Sequence, residues 1–228
     1  MRLFVDAALA AGAELTLPEA ADRHARVRRV QPGDALLLLD GQGAEWPATV
    51  RTVGRSAITV ALGEPRAVDR ELARPVTLAV VVPANERMDW LVEKATELGA
   101  ASLQPLQAER TMPCQWAWRR AASEQCGRTR LMAVAPLREL GEWLTALPPA
   151  PPDEARWVLD FAPDAQAPGA GVGRPASITT LSGPEGGLAP AELAAARAAG
   201  FRPLSLGPRV LRAETAPLAL LAWAAWMP

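Results

Sequence analysis

From residue 1 to about 74 the apolar positions come in short alternating or continuous runs, at 2–5, 14–17, 35–39, 48–53 and 56–62. Between them stand Pro32-Gly33-Asp34, Asp40-Gly41-Gln42-Gly43 and Gly54, residues that supply turn geometry. The pattern predicts a small β-rich domain, closed as a barrel. One stretch, 22–30, is helix-like instead and carries Arg23, His24, Arg26, Arg28 and Arg29, the densest basic cluster in the chain. Such a cluster is either a solvated helix face or a place where a polyanion sits.

Near residues 68–75 the period changes. Residues 76–82 are an apolar run of strand length interrupted only by Thr77, as expected of a strand buried on both faces of a parallel sheet. Met88, Leu91, Val92, Ala95 and Leu98 then follow at helical spacing, with Asn85 available as a cap and Gly99 as the stop. The alternation continues with strands at 101–106, 157–161, 178–181 and 203–206 and helices at 116–126, 190–199 and 215–226. Strand and helix in turn predict an α/β domain with a mostly parallel sheet, so the boundary is drawn at 72/73, giving domains 1–72 and 73–228. The Pro/Ala/Gly-rich pieces 148–152 and 163–175 read as loops.

Half of the 228 residues are apolar and 21% are charged, an ordinary globular composition. With 24 Lys+Arg against 25 Asp+Glu, no global positive charge advertises a nucleic acid, and any such partner must be held by a local patch. All but one of the basic residues are arginine, Lys94 being the exception. Cys114, Cys126 and the single histidine, His24, are too few for a Cys/His zinc site, and no metal is expected. The start of the chain lacks a signal-peptide pattern, and the apolar stretch 218–227 is about half the ~20 residues that span a bilayer, so a cytoplasmic protein is expected.

Two glycine-bearing segments follow predicted strands, Leu181-Ser182-Gly183-Pro184-Glu185-Gly186-Gly187 and Leu206-Gly207-Pro208-Arg209-Val210-Leu211-Arg212-Ala213-Glu214-Thr215. Ligands of parallel α/β sheets bind beyond the carboxyl ends of the strands, where glycine lets backbone approach them. Gly169-Ala170-Gly171-Val172-Gly173 imitates a dinucleotide fingerprint but follows no strand and enters no helix. A phosphate loop ending in Lys-Ser/Thr is absent as well.

These two segments, together with Glu86-Arg87-Met88-Asp89-Trp90-Leu91-Val92-Glu93-Lys94-Ala95-Thr96-Glu97-Leu98-Gly99, Glu109-Arg110-Thr111 and Glu124-Gln125-Cys126-Gly127-Arg128, form an ordered motif series. The series resembles that of the ribosomal small-subunit methyltransferase E family, which methylates uracil N3 in 16S ribosomal RNA. The resemblance covers nearly the whole chain and includes His24, Val27, Arg29, Gly33-Asp34 and Asp40-Gly41-Gln42-Gly43 in the first domain. It implies a PUA-like β-barrel followed by a SPOUT domain whose C-terminal segment is threaded into a trefoil knot around S-adenosylmethionine. Residues Leu181, Gly183, Glu185, Gly186, Leu206, Gly207 and Leu211 would line that cofactor's pocket. RNA would be held by Arg2, His24, Arg26, Arg29, Arg110 and Arg128, with the assembled 30S subunit as partner. The resemblance also implies a homodimer, and Leu218, Leu221, Trp223 and Trp226 would offer apolar surface for it. The chain departs from the family in a short segment between Arg110 and Glu124, in Arg28, where the family often has leucine, and in Leu181-Ser182, which stand in place of a more usual apolar residue before Gly183.

Methyl transfer from a sulfonium is an in-line displacement that needs alignment and help for an imide N–H to lose its proton. Arg212 and Glu214 are the charged groups expected to serve it. Arg212 would stabilise a uracilate oxygen, and Glu214 would orient the base or cap the final helix. Two other readings share these features: an RNA-binding assembly factor of the same fold without catalysis, and a SPOUT enzyme acting on tRNA.

Overall fold

The computed structural model describes residues 1–83, 87–108, 119–169 and 173–227. Asn85, Arg110, Cys114, Trp116 and the centre of the Gly169–Gly173 segment, which the sequence reading singled out, lie outside them. In chain order the elements are β1 (Arg2–Phe4), β2 (Glu14–Thr16), α1 (Glu19–Val27), β3 (Ala35–Leu39), β4 (Ala44–Val53), β5 (Ile58–Leu62) and β6 (Arg66–Ala67). Then come β7 (Val76–Val81), α2 (Arg87–Glu97), β8 (Ser102–Gln107), α3 (Arg119–Cys126), β9 (Ala133–Val134), β10 (Arg138–Glu139) and α4 (Leu140–Ala146). The chain ends with β11 (Glu154–Leu159), β12 (Ser177–Ser182), α5 (Pro190–Ala198), β13 (Arg202–Leu204) and α6 (Thr215–Ala225). Two compact units result, one of Met1–Glu71 with Arg119–Leu131, the other of Leu72–Trp118 with Met132–Pro228.

The first unit is built on a mixed sheet ordered β1-β3-β4-β5-β2, with β6 paired to β4 and β1 alone running parallel to its neighbour. Alternation along β5 sends Ile58, Val60 and Leu62 into a core shared with Leu3, Leu38 and Val50. Helix α1 lays its small residues Ala21 and Ala25 on that core. Helix α3 belongs to this unit, although its place in the sequence suggests the α/β alternation. Its partners and those of the residues just after it explain why: the Phe4 amide donates to Glu124 Oε1 (2.6 Å), Thr129 Oγ1 donates to the Val68 carbonyl (2.6 Å), and the buried Arg128 guanidinium grips Glu71.

The second unit is a three-layer α/β structure. Its sheet runs β10-β8-β7-β12-β11-β13 with β9 beside β8, and every pairing is parallel. Strand β7 has the two-sided burial that its apolar run, broken only by Thr77, implies. Val76, Leu78 and Val80 pack with α2 and α6, while Ala79 and Val81 pack with α4 and α5 on the opposite face. Helix α4 buries Leu140, Trp143 and Leu144.

Helix α6 corrects one expectation. Leu218 and Leu221 are 7% and 0% exposed in its own unit's core, and Trp223 packs edge-on against Trp157 at 5.6 Å between ring centroids. A helix that is apolar on every side is the central closing element of this core. Of the four residues offered for subunit contact, Trp226 remains on the surface, at 88% exposure.

Three helices end in the same way. In α2 and α5 the backbone turns into the left-handed region at Gly99 (φ 92°) and Gly200 (φ 89°), and the next amide bonds back to the helix, Ala100 to the Ala95 carbonyl and Phe201 to that of Ala196. Helix α1 makes the same turn with Val30 bonded to Ala25, but the left-handed residue is Arg29 (φ 55°). An L side chain there costs roughly 1–2 kcal/mol relative to glycine.

Candidate active site

The carboxyl ends of β11, β12 and β13 open into a cavity of about 540 Å³, inside the range of small-molecule sites, roughly 300–1,000 Å³. This is where a parallel α/β sheet binds its ligands. Three loops wall it: Asp160-Phe161 after β11, the stretch from Gly183 to Leu188 after β12, and the stretch from Leu206 to Ala213 before α6.

The structure brings together Gly183, Glu185, Gly186, Leu206, Leu211 and Arg212 of the residues read from the sequence. Leu181 instead turns its side chain into the core against α4 and α5, and Gly207 lies off the lining in a left-handed turn at φ 107°. The two loop glycines do different things. A Cβ on Gly183 would come within 3.0 Å of the Leu188 amide nitrogen and side chain, so that glycine lets the loop fold onto itself. A Cβ on Gly186 would meet nothing within 4 Å. Gly186 thus has open space beside its Cα at a position that lines the cavity. Ser182, Asp160, Phe161 and Arg209 also line the cavity and were not among the expected residues. Ser182 carried a signal all the same, its place directly before Gly183 in the first glycine-bearing segment.

Charge in the wall is paired on one side and free on the other. Arg87 Nη1 donates to Glu185 Oε1 at 3.0 Å and stands 3.8 Å from Glu214 Oε2. Glu214 is buried behind the lining. It makes no capping hydrogen bond to α6, and its Oε2 has no hydrogen-bond partner, so capping is not its role here. Arg209 and Arg212 are exposed at the cavity and have no carboxylate partner among the described residues. The loop after β11 is anchored to α5, because Asp164 accepts two hydrogen bonds from Arg197 at 2.7 and 2.9 Å. Those bonds hold the Asp164 carboxyl below its ordinary pKa and raise that of Arg197.

The basic residues of the first unit divide in a similar manner. A cleft of about 690 Å³ there is lined by Arg2, His24, Arg28 and Glu124, and His24 Nδ1 lies 3.0 Å from Glu124 Oε2. Arg29 is exposed, whereas Arg26 spends its guanidinium on Asp22 and the Gly54 carbonyl. Arg128 departs from the expected RNA-contacting role. It is 4% exposed, and its pairing with Glu71 keeps it inside the unit. Among the described residues no group of three or more His, Cys, Asp or Glu could hold a metal, and no helix is long and apolar enough to cross a membrane.

Comparison with known proteins matches the RNA methyltransferase domain family over residues 70–225 and the RNA methyltransferase PUA domain over residues 18–62. Ribosomal RNA small subunit methyltransferase E of Synechocystis is 36% identical over 208 residues, covering 86% of this chain and 67% of the relative. The same methyltransferase of Neisseria gonorrhoeae, solved with bound S-adenosylmethionine, superposes with a TM-score of 0.87 at 29% identity, covering 97% of this chain and 95% of that one. A Legionella pneumophila protein solved with the same cofactor gives 0.88 at 28% identity, covering 98% and 96%. With an intact glycine-loop cavity at the end of its parallel sheet and these likenesses along its whole length, this chain belongs to the ribosomal RNA small subunit methyltransferase E family.

Proposed function

We propose that this chain transfers a methyl group from S-adenosylmethionine to N3 of a uridine in 16S ribosomal RNA, on the assembled 30S subunit in the cytoplasm. The observation that carries the reading is the cavity. Its volume suits a nucleoside-sized ligand, its leucines suit a ring face, the open side of Gly186 allows close backbone approach, and it is bordered by two arginines that have no carboxylate partner among the described residues. Gly183, Glu185, Gly186, Leu206 and Leu211 would hold the cofactor, with Leu181 and Gly207 fixing the strand end and the turn behind them. The knotted threading that the family resemblance implies would place all three loops around one ligand.

When bound, the cofactor supplies an electrophilic methyl on a sulfonium. The chain's own part is to place the uracil imide in line with it and to stabilise the charge that grows on the uracil oxygen as the imide proton leaves to solvent or a carboxylate. Arg212, one of the two arginines at the cavity without a carboxylate partner among the described residues, takes that role. Glu214, held behind the wall 3.8 Å from Arg87, orients the base through Arg87 rather than capping the helix.

The first unit would hold the RNA through Arg2, His24, Arg26 and Arg29. Arg29 supports this directly, since it keeps a left-handed position that α2 and α5 give to glycine, and a strained side chain retained at a helix end is a mark of use. Labelled methyl transfer to purified 30S subunits and to naked 16S RNA, followed by nucleoside analysis, tests the reading. The expected product is 3-methyluridine on the subunit. A chain that binds the cofactor yet labels neither substrate refutes it.

A homodimer built through the second unit is part of the same proposal. It rests on Trp226 at 88% and Trp90 at 46% exposure, two large apolar side chains left on α6's end and on α2. Light scattering should give about twice 24.2 kDa at micromolar concentration, and Trp226→Glu should lower it toward the monomer mass. A wild-type monomer contradicts the dimer.

A further inference from the structure

Among the described residues of the second unit, two interior hydroxyls have no hydrogen-bond partner, Thr180 Oγ1 and Ser182 Oγ, on residues 0% and 2% exposed. They stand two apart on β12, so both lie on the face covered by α2 and α6, opposite Leu181. A buried hydroxyl with no partner destabilises a fold, and a methyl or hydrogen in its place would be better tolerated. Such a group persists to advantage where something else uses its oxygen. The two differ in one respect: Ser182 lines the cavity at the end of the sheet, and Thr180 does not.

We infer that Ser182 is a cofactor-recognition residue whose hydroxyl exchanges a hydrogen bond with the adenosine part of bound S-adenosylmethionine. The inference rests on the cofactor reading above. Ser182 is the last residue of β12, paired in register with Val80 and Leu159, so its Cα is held from both sides by the sheet. Leu204 and Leu206 in the same lining suit the flat face of a purine, and a purine buried among leucines needs a hydrogen-bonding group at its edge. Ser182 meets that need from a rigid strand end. The hydroxyl is also matched only while the ligand is present, which predicts opposite effects of its removal on the free and the bound protein.

Calorimetric titration of the full chain with S-adenosylmethionine and with S-adenosylhomocysteine, alongside thermal melts of the free protein, tests this. Ser182→Ala is expected to weaken both ligands by roughly five- to tenfold, the worth of one ordinary hydrogen bond, while the free protein melts at the same temperature or higher. Thr180→Val should likewise preserve or raise the free melting temperature but leave both affinities unchanged. Wild-type affinities in Ser182→Ala, or a lowered melting temperature of the free variant, overturn the inference and leave the cofactor reading standing. Weakening of S-adenosylmethionine alone overturns the assignment to adenosine. A wild-type chain that binds neither ligand overturns the cofactor reading and the inference together.

Discussion

Arg212→Ala should slow single-turnover methyl transfer about a hundredfold, the worth of one well-placed electrostatic contact of about 3 kcal/mol, while S-adenosylmethionine affinity stays within a few fold. The split follows from where Arg212 stands. Its backbone carbonyl accepts the amides of Thr215 and Ala216 at 2.9 and 3.0 Å, so the start of α6 fixes the main chain. Its guanidinium lies at the cavity without a carboxylate partner among the described residues and is free to meet a developing negative charge. Glu214 is off the lining and cannot substitute for it. The wild-type rate should also climb with pH as the imide ionises. A variant that loses cofactor affinity but keeps its chemical rate would show that Arg212 shapes the loop instead.

Arg128→Ala should cost roughly 3–5 kcal/mol of folding stability, because it strands Glu71 at a site sealed from water on most sides. Arg128 Nε donates to Glu71 Oε1 at 3.0 Å and a second nitrogen holds the other oxygen, the two-pronged geometry that guanidinium gives to carboxylate. Urea unfolding of the full chain measures the loss. The double variant Arg128→Met with Glu71→Leu should recover much of it, since apolar side chains of similar size leave no charge unmatched. Unchanged stability combined with weakened RNA binding would return Arg128 to the nucleic-acid surface.

Strand-and-helix alternation in the second unit was legible because a strand buried on both faces must be almost wholly apolar, as 76–82 is apart from Thr77, and because α2 and α5 carry a glycine at the turn that ends them. Helix α4 was not legible. Its buried Leu140, Trp143 and Leu144 fill less than two turns, too short a repeat to rise above chance. Strands β6, β9 and β10, of two residues each, have no period at all. At the site, glycine spacing located the loops, and residue type located Arg212. Exposure and pairing were out of reach. Nothing in the run Glu124 to Arg128 tells that Arg128 is committed to Glu71, fifty-seven positions earlier, or that Glu124 takes the Phe4 amide.

That long-range commitment bears on how the chain matures as it is made. β1 ends the first unit's sheet order, and α3 packs on it from a position that leaves the ribosome much later. All of 72–118, which belongs to the other unit, must be synthesised in between. Until then the bonds that join Phe4 to Glu124, Val68 to Thr129 and Glu71 to Arg128 cannot form, while the β3, β4 and β5 meander can already pair locally. A nascent chain halted in that window carries an uncovered sheet edge, the kind of surface on which neighbouring chains on a polysome join. Synthesis through Leu131 closes that edge, so the amino-terminal unit is finished only after the second one has been started.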